Sequence, residues 1–346
     1  MLHLDNDYLQ GAHPQILEAL VASNSEDLAG YGLDAYTQAV QDRMRELCQC
    51  PEAQVRLVTG GTQANMLVID TLLNDTEGVI SADTGHVAVH ESGAIEYSGH
   101  KVLTVPSDKG KLNVHEVRRL IEDFYADETH PHMVYPGMVY ISQPTEYGTL
   151  YTKSEVEALA SLCQEYDLPL FVDGARLVYA LASPENDLNL ADLAHFADVF
   201  YLGGTKAGLL CGEALVYTKN NLPKHFPGLI KQRGALLAKG RLLGVQFKTL
   251  LDNDLYLKIG QETQAKTDRL KAILHHYQIP FYLESPTNQQ FIILEKEVYH
   301  ALKEDLVTSY FGKLNDHQVI VRLATSWSTT DQALDQLEGI LDKYFA

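Results

Sequence analysis

Three apolar runs in the middle of the chain end in residues that can do chemistry. Leu170-Phe171-Val172 stops at Asp173-Gly174-Ala175-Arg176. Asp198-Val199-Phe200-Tyr201-Leu202 breaks into Gly203-Gly204-Thr205-Lys206-Ala207-Gly208, and Ala214-Leu215-Val216-Tyr217 follows. Short runs rich in β-branched and aromatic residues and bounded by glycine read as buried strands. Open α/β sheets present ligands with the carboxyl ends of such strands. An acid, Asp173, and an amine, Lys206, therefore reach one rim, each from its own strand end. Glycines beside Lys206 let backbone crowd a ligand, and no acid stands at helical spacing from it. An amine in that setting is placed as a Schiff-base lysine would be.

Upstream, the short strand Val55–Val58 breaks at Thr59-Gly60-Gly61-Thr62-Gln63-Ala64-Asn65 before an apolar helix running through Leu73. A glycine turn opening a helix gathers free N–H groups and the positive end of the helix dipole, which suits a phosphate. It is neither the Gly-x-Gly-x-x-Gly fingerprint nor a lysine-bearing P-loop. His86 and His90, four apart, share a helix face, but the third ligand and the His-Glu-x-x-His arrangement of a zinc site are missing, so no metal is expected. Cys48, Cys50, Cys163 and Cys211 form no Cys-x-x-Cys pair and read as reduced thiols.

In their order and spacing, Gly60-Gly61-Thr62-Gln63-Ala64-Asn65, Asp173-Gly174-Ala175-Arg176 and Thr205-Lys206 resemble the threonine aldolase family, and the resemblance covers nearly the whole chain. It implies the cofactor pyridoxal 5′-phosphate and an α/β architecture of transferase fold type I, the aspartate-aminotransferase fold. Such a chain has a large domain with a mostly parallel seven-stranded sheet and a small α+β C-terminal domain.

The resemblance also implies roles. Lys206 would carry the cofactor as a Schiff base, beside Thr205. Asp173 would pair with the pyridine N–H, since a nearby carboxylate favours the protonated ring. Gly60, Gly61 and Thr62 would seat the phosphate, with Arg233 and Arg241 reaching it, in part from a neighbouring subunit. His86 would stack on the ring, with Glu91 in the same stretch. Arg176 would reach the ring hydroxyl side and the substrate carboxylate, and Arg322 in the small domain would grip that carboxylate. The family's N-terminal serine is replaced here by Asn6 and Asp7, with Asn6 taken as the substrate-binding residue. A loop histidine near the substrate hydroxyl is replaced by Glu146.

The elements that must position these groups alternate along the chain. Helices are predicted over Pro14–Val21, Ala35–Leu47 (capped by Asp34), Val114–Tyr125 and Ser154–Tyr166, the last with Ser154 and Glu157 as its box. Strands are predicted at Gly78–Ser81, Lys101–Val105 and Met138–Ser142. Long helices from Leu242 to Leu283 lead to strands Phe291–Leu294 and Val319–Leu323 and a closing helix, Thr330–Tyr344. Strand–helix alternation without repeats argues α/β. The domains are expected at 1–245 and 246–346.

A chain of 346 residues with 45% hydrophobic and 21% charged residues can bury a large core. Its formal charge of −19 argues against nucleic acid or an anionic membrane as partner. The N-terminus lacks a signal-peptide pattern and no apolar run approaches a membrane span, so a soluble cytoplasmic protein is expected. The partner expected is a small amino acid, and a homodimer or homotetramer is implied by shared sites. The reaction expected is retro-aldol Cα–Cβ cleavage of L-threonine or L-allo-threonine-type β-hydroxy-α-amino acids to glycine and an aldehyde. His86, Glu146 or a phosphate-bound water is the base. β-Elimination or transamination on the same cofactor, or a non-catalytic cofactor binder, are the competing readings.

Overall fold

The computed structural model describes residues 1–345. Thirteen strands occur in chain order: β1 Leu2–His3, β2 Gln54–Val58, β3 Glu77–Ala82, β4 Val102–Val105, β5 Tyr135–Ser142, β6 Leu170–Asp173, β7 Val199–Gly203, β8 Glu213–Tyr217, β9 Phe281–Leu283, β10 Gln289–Glu295, β11 Leu306–Val307, β12 Ser309–Lys313 and β13 Gln318–Ala324. Seven of them form the main sheet, in the order β2-β8-β7-β6-β5-β3-β4. Six strands of that sheet run in one direction. β8 lies antiparallel to both its neighbours, β2 and β7.

The central strands are apolar throughout because both sheet faces are covered. Alternation along each strand sorts the side chains between two cores. Leu170, Val172, Phe200, Leu202, Ala214 and Val216 enter one. Tyr140, Phe171, Val199, Tyr201 and Leu215 enter the other, against Ala64, Leu67 and Val68 of the helix Gly61–Leu72. Asp173, two residues beyond Phe171, therefore points to the face that this helix covers. At the end of β6 an added Cβ on Gly174 would stand 1.9 Å from the Tyr201 carbonyl oxygen, so only glycine lets the chain turn that close to β7.

The second sheet, β12-β13-β10-β9, is antiparallel and has its own core of Ile292, Val321, Leu323 and Leu337. Leu2 and Leu4 belong to that core, and β1 pairs parallel with β11. The N-terminus is thus fastened to the C-terminal sheet, and residues 5–8 emerge between the two sheets. The helix Leu255–His276 joins the cores, with Ile259 in the large one and Leu270 in the small one.

Helix Ala35–Leu47 starts where expected, with Asp34 accepting from the Thr37 amide. The helix expected over Ser154–Tyr166 runs from Lys153 to Glu165, one residue earlier at each end, and Ser154 is not its cap. Thr152 and Glu155 form the capping box, because Thr152 has the extended backbone a cap needs while Ser154 is already helical. Among the described residues no helix is long and apolar enough to cross a membrane.

Candidate active site

The Asp173 carboxylate is the most heavily bonded side chain of the rim. Its Oδ2 accepts from Asn65 Nδ2 at 3.0 Å and from the Tyr140 hydroxyl at 2.6 Å. Its Oδ1 accepts from the Ala175 amide at 2.9 Å and from the Tyr201 hydroxyl at 2.5 Å. Burial pushes the carboxyl pKa up. The His86 charge and these donors outweigh it, and the group is held below its ordinary value. Asp173 is therefore an anion at neutral pH although only 4% exposed.

Asn65 extends the network. The same Nδ2 that serves Asp173 also donates to Glu91 Oε1 at 2.7 Å, and that oxygen lies 2.8 Å from His86 Nδ1. Burial lowers the His86 pKa, but the bond to Glu91 and the charges of Glu146 and Asp173 raise it more. His86 and His90 lie on one short turn, with ring centroids 5.8 Å apart. Sequence reasoning named Asp173 and His86 but missed Tyr140 and Tyr201, and it placed Asn65 only in the glycine motif. A tyrosine in a fully buried strand usually finds a partner for its hydroxyl. That signal, with the two-residue alternation, points both rings at Asp173.

Lys206 sits in a single turn, Thr205–Ala207, directly after β7, closed by Gly208 at φ +90°. Among the described residues its ammonium makes no hydrogen bond and no ion pair; the Tyr8 ring centroid is 5.9 Å away. Burial and the nearby Arg176 cation lower its pKa against the pull of Asp7 and other acids. Thr205, expected to contact the cofactor, instead turns its hydroxyl into the protein. It donates to Glu213 Oε1 at 2.8 Å and accepts from the Gly212 amide at 3.0 Å.

Arg176 is buried and paired two-fold with Asp7, Nε to Oδ2 at 2.7 Å and Nη2 to Oδ1 at 3.1 Å. Asn288 Nδ2 donates to the same Oδ2 at 2.9 Å. Asp7 thereby links the large sheet's rim to the small domain. Burial would raise the Asp7 carboxyl, but Arg176 and Lys206 hold it far below the usual range. Asn6 does not reach the site. Its side-chain amide donates to Asp5 and its side-chain carbonyl accepts from the Tyr8 amide, so both ends are used within the N-terminal segment.

Arg322 on β13 donates from Nη1 to Gln289 at 3.0 Å and from Nη2 to the Asp5 carbonyl at 3.1 Å, and its buried Nε has no partner. Lys206, His86, Arg176, Arg322, Glu146 and Tyr8 line one cavity of about 580 Å³. Glu146 makes no hydrogen bond or ion pair among the described residues. Gly60, Gly61 and Thr62 open the helix that carries Asn65, and an added Cβ on Gly61 would lie 3.3 Å from the Tyr201 hydroxyl. The first amides of a helix have no acceptor inside it, so this end sits ready beside the Asp173 cluster.

Arg233 and Arg241 do not join this group. Arg233 is paired with Asp70, at 3.0 and 2.6 Å, and Arg241 donates to the carbonyls of Glu26 and Ser23. Within one chain both cations are used to fasten helices, and neither lines the Lys206 cavity.

The model of the beta-eliminating lyase family matches residues 4–297. The chain belongs to this family. It is 32% identical over 261 residues to a low specificity L-threonine aldolase of Pseudomonas aeruginosa, a match spanning 73% of this chain and 72% of that protein. To the low-specificity L-threonine aldolase of Eremothecium gossypii it is 24% identical over 337 residues, 95% of this chain and 84% of the relative. The solved structure of a Leishmania major threonine aldolase is 41% identical, covers the whole of both chains and superposes with a TM-score of 0.96. A Thermus thermophilus aspartate aminotransferase, 17% identical with a TM-score of 0.70 over 98% of this chain and 91% of its own, shares the fold.

As a member of the beta-eliminating lyase family with this fold, the chain is a pyridoxal-phosphate-dependent lyase. The residues present fit that cofactor. The cavity holds a free amine, an anionic carboxylate stands behind it, helix-start amides lie to one side, and Arg322 Nε is buried without a partner.

Proposed function

We propose that the chain cleaves β-hydroxy-α-amino acids of the L-threonine and L-allo-threonine type to glycine and an aldehyde, with Lys206 holding the cofactor. The observation that carries this reading is the unpaired Lys206 amine in a cavity that Arg176, Arg322 and the unpaired carboxylate of Glu146 also line. Pyridoxal phosphate, when bound, supplies the electron sink for the bond broken at Cα. Asp173 holds the proton on the ring nitrogen, as its four donors keep it ionised. Gly60, Gly61 and Thr62 bind phosphate through their amides.

Arg322, which lines the cavity, binds the substrate carboxylate through its guanidinium, with Arg176 beside it. A planar guanidinium fixes orientation as well as charge, so the Cα–Cβ bond is presented for cleavage. Glu146 takes the β-hydroxyl proton. His86 suits that task less, because its Nδ1 is already engaged by Glu91 at 2.8 Å. As Cα–Cβ breaks, its electron pair stays with Cα, the hydroxyl oxygen becomes the aldehyde carbonyl, and a proton returned to Cα completes glycine.

The division into units 1–245 and 246–346 belongs to this reading, with helix Leu255–His276 bridging their cores. So does assembly as a homodimer or homotetramer. The exposed Tyr31 and Leu33 beside a 420 Å³ cleft lined by Arg56, Ile230 and Leu236 support an apolar contact there. Buried free thiols at Cys48, Cys50 and Cys163 support a reducing, cytoplasmic setting. Supplying L-threonine to the purified holoenzyme tests the reaction. Glycine and acetaldehyde in equal amounts support it, 2-oxobutanoate released with ammonia would favour elimination, and a hydroxy keto acid formed only with amino transfer to an added keto acid would favour a transaminase. No turnover of any amino acid would leave a cofactor binder.

A further inference from the structure

A buried acid that the mechanism leaves unused lies under Lys206. Glu213 opens β8, is 3% exposed, and pairs in register with Gly203, the last residue of β7 before the lysine turn. Its Oε2 accepts from the Gly204 amide at 3.1 Å and its Oε1 faces the Thr205 hydroxyl at 2.8 Å. From the other side, Tyr179 donates to the Lys206 carbonyl at 2.7 Å. The turn is thus pinned through its backbone and through Thr205, and Glu213 holds Gly204, just before it, and Thr205, its first residue.

Thr205 Oγ1 has two acceptors within reach, Glu213 Oε1 at 2.8 Å and the Gly212 carbonyl at 3.4 Å, while the Gly212 amide donates to it at 3.0 Å. This geometry accommodates two proton arrangements. With Glu213 ionised, the Thr205 hydroxyl donates to Oε1. With Glu213 protonated, Oε1–H donates to Thr205 Oγ1, whose own proton turns to the Gly212 carbonyl. Loss of the proton to solvent base exchanges one arrangement for the other without moving a heavy atom.

We propose that Glu213 is a positioning residue for Lys206: it fixes the Gly204–Lys206 turn from below and, by gaining or losing one proton, reverses the Thr205 hydroxyl and changes the charge the lysine faces. Burial pushes the Glu213 carboxyl up to about 8, against the opposing pull of Thr205, Lys206 and Gly204. The ionisable groups that face it are Lys206 in the turn, Asp173 on β6, Tyr201 on β7, Tyr256 on the helix Leu255–His276 and Cys211 just before β8. Lys206 is the cation of that set, and Asp173 the acid opposing ionisation.

This inference rests on the cofactor reading above, and its test is spectral rather than catalytic. The visible band of the holoenzyme is titrated from acid to alkaline pH in wild type, Glu213→Gln and Glu213→Asp, with circular dichroism reporting the fold. The wild-type band should change near pH 8. Glu213→Gln, which keeps a donor to Thr205 and an acceptor for Gly204, should keep the band and lose that change. The same transition at the same pH in folded Glu213→Gln would overturn the proposal. If Glu213→Gln does not fold, Glu213→Asp decides. A transition displaced from the wild-type pH supports the role, and an unmoved one overturns it. No band in the wild type would overturn the cofactor reading itself, and this inference with it.

Discussion

Asn65 and Asp173 are joined by a 3.0 Å hydrogen bond across 108 residues of sequence, from the amide of a helix to the carboxylate at a strand end. The same amide reaches Glu91, so one side chain ties Asp173 to the Glu91–His86 pair. Two buried carboxylates share this donor, and each is fixed relative to the other.

Asn65→Ala removes that donor and leaves both acids less satisfied in a buried place. An unfilled bond of this kind costs about 1–3 kcal/mol of stability. The thermal midpoint should fall, and cofactor affinity should weaken by roughly tenfold as Asp173 loses its fixed position. Equilibrium dialysis against pyridoxal phosphate and a melting curve check both effects.

Asp7→Asn breaks a buried pair by removing one charge. Arg176 then has no anion, and a loss of about 3–5 kcal/mol is expected. The pH dependence follows from the depressed Asp7 pKa. The pair's stabilisation is whole above the ordinary carboxylate pKa of about 3.9 and is lost as pH falls from there toward the folded value. Denaturant titrations of wild type and Asp7→Asn should converge at acid pH and diverge near neutrality.

His86 moves in the opposite sense. Its pKa is raised in the folded protein, so its bond to Glu91 stabilises fully below the ordinary value of about 6.5 and is lost as pH climbs through the folded one. The stability gap between wild type and His86→Asn, measured on the cofactor-free chain, should be largest at mildly acid pH and shrink as pH rises through the raised folded value.

Much of this architecture was legible in the sequence because apolar runs with glycine ends are local signals. β6 and β7, the placement of Asp173 and Lys206 at their ends, and the helix after Gly60-Gly61 follow from pattern alone. The pairing partners were not legible, because they come from tertiary placement. Nothing local tells that Asp7 rather than Asn6 faces Arg176, or that Arg233 spends its charge on Asp70. The N-terminus reaches the site only because Leu2 and Leu4 are buried in the far sheet's core, a contact more than 260 residues away in sequence from Leu270. Glu213 reads as an ordinary strand residue until β8 is seen to run antiparallel beside β7, which brings it under the lysine turn.

Glu146→Gln separates the two candidate bases. Loss of a positioned base lowers kcat by about 10²–10⁴-fold, with little change in cofactor binding, since Glu146 touches the cavity and not the Asp173 network. Steady-state kinetics with L-threonine beside a cofactor titration would show the split. A drop of that size for His86→Asn but not Glu146→Gln would assign the proton to the histidine.

The most direct test is a comparison of wild type and Lys206→Ala, each purified with pyridoxal phosphate and given L-threonine while the visible spectrum, glycine and acetaldehyde are followed together. The wild type should carry a cofactor band, respond to the amino acid and release glycine and acetaldehyde one for one. Lys206→Ala should fold, lack the lysine-dependent band and release neither product. A Lys206→Ala protein that still cleaves threonine at the wild-type rate, or a wild type that holds the cofactor and leaves threonine intact, would contradict the account.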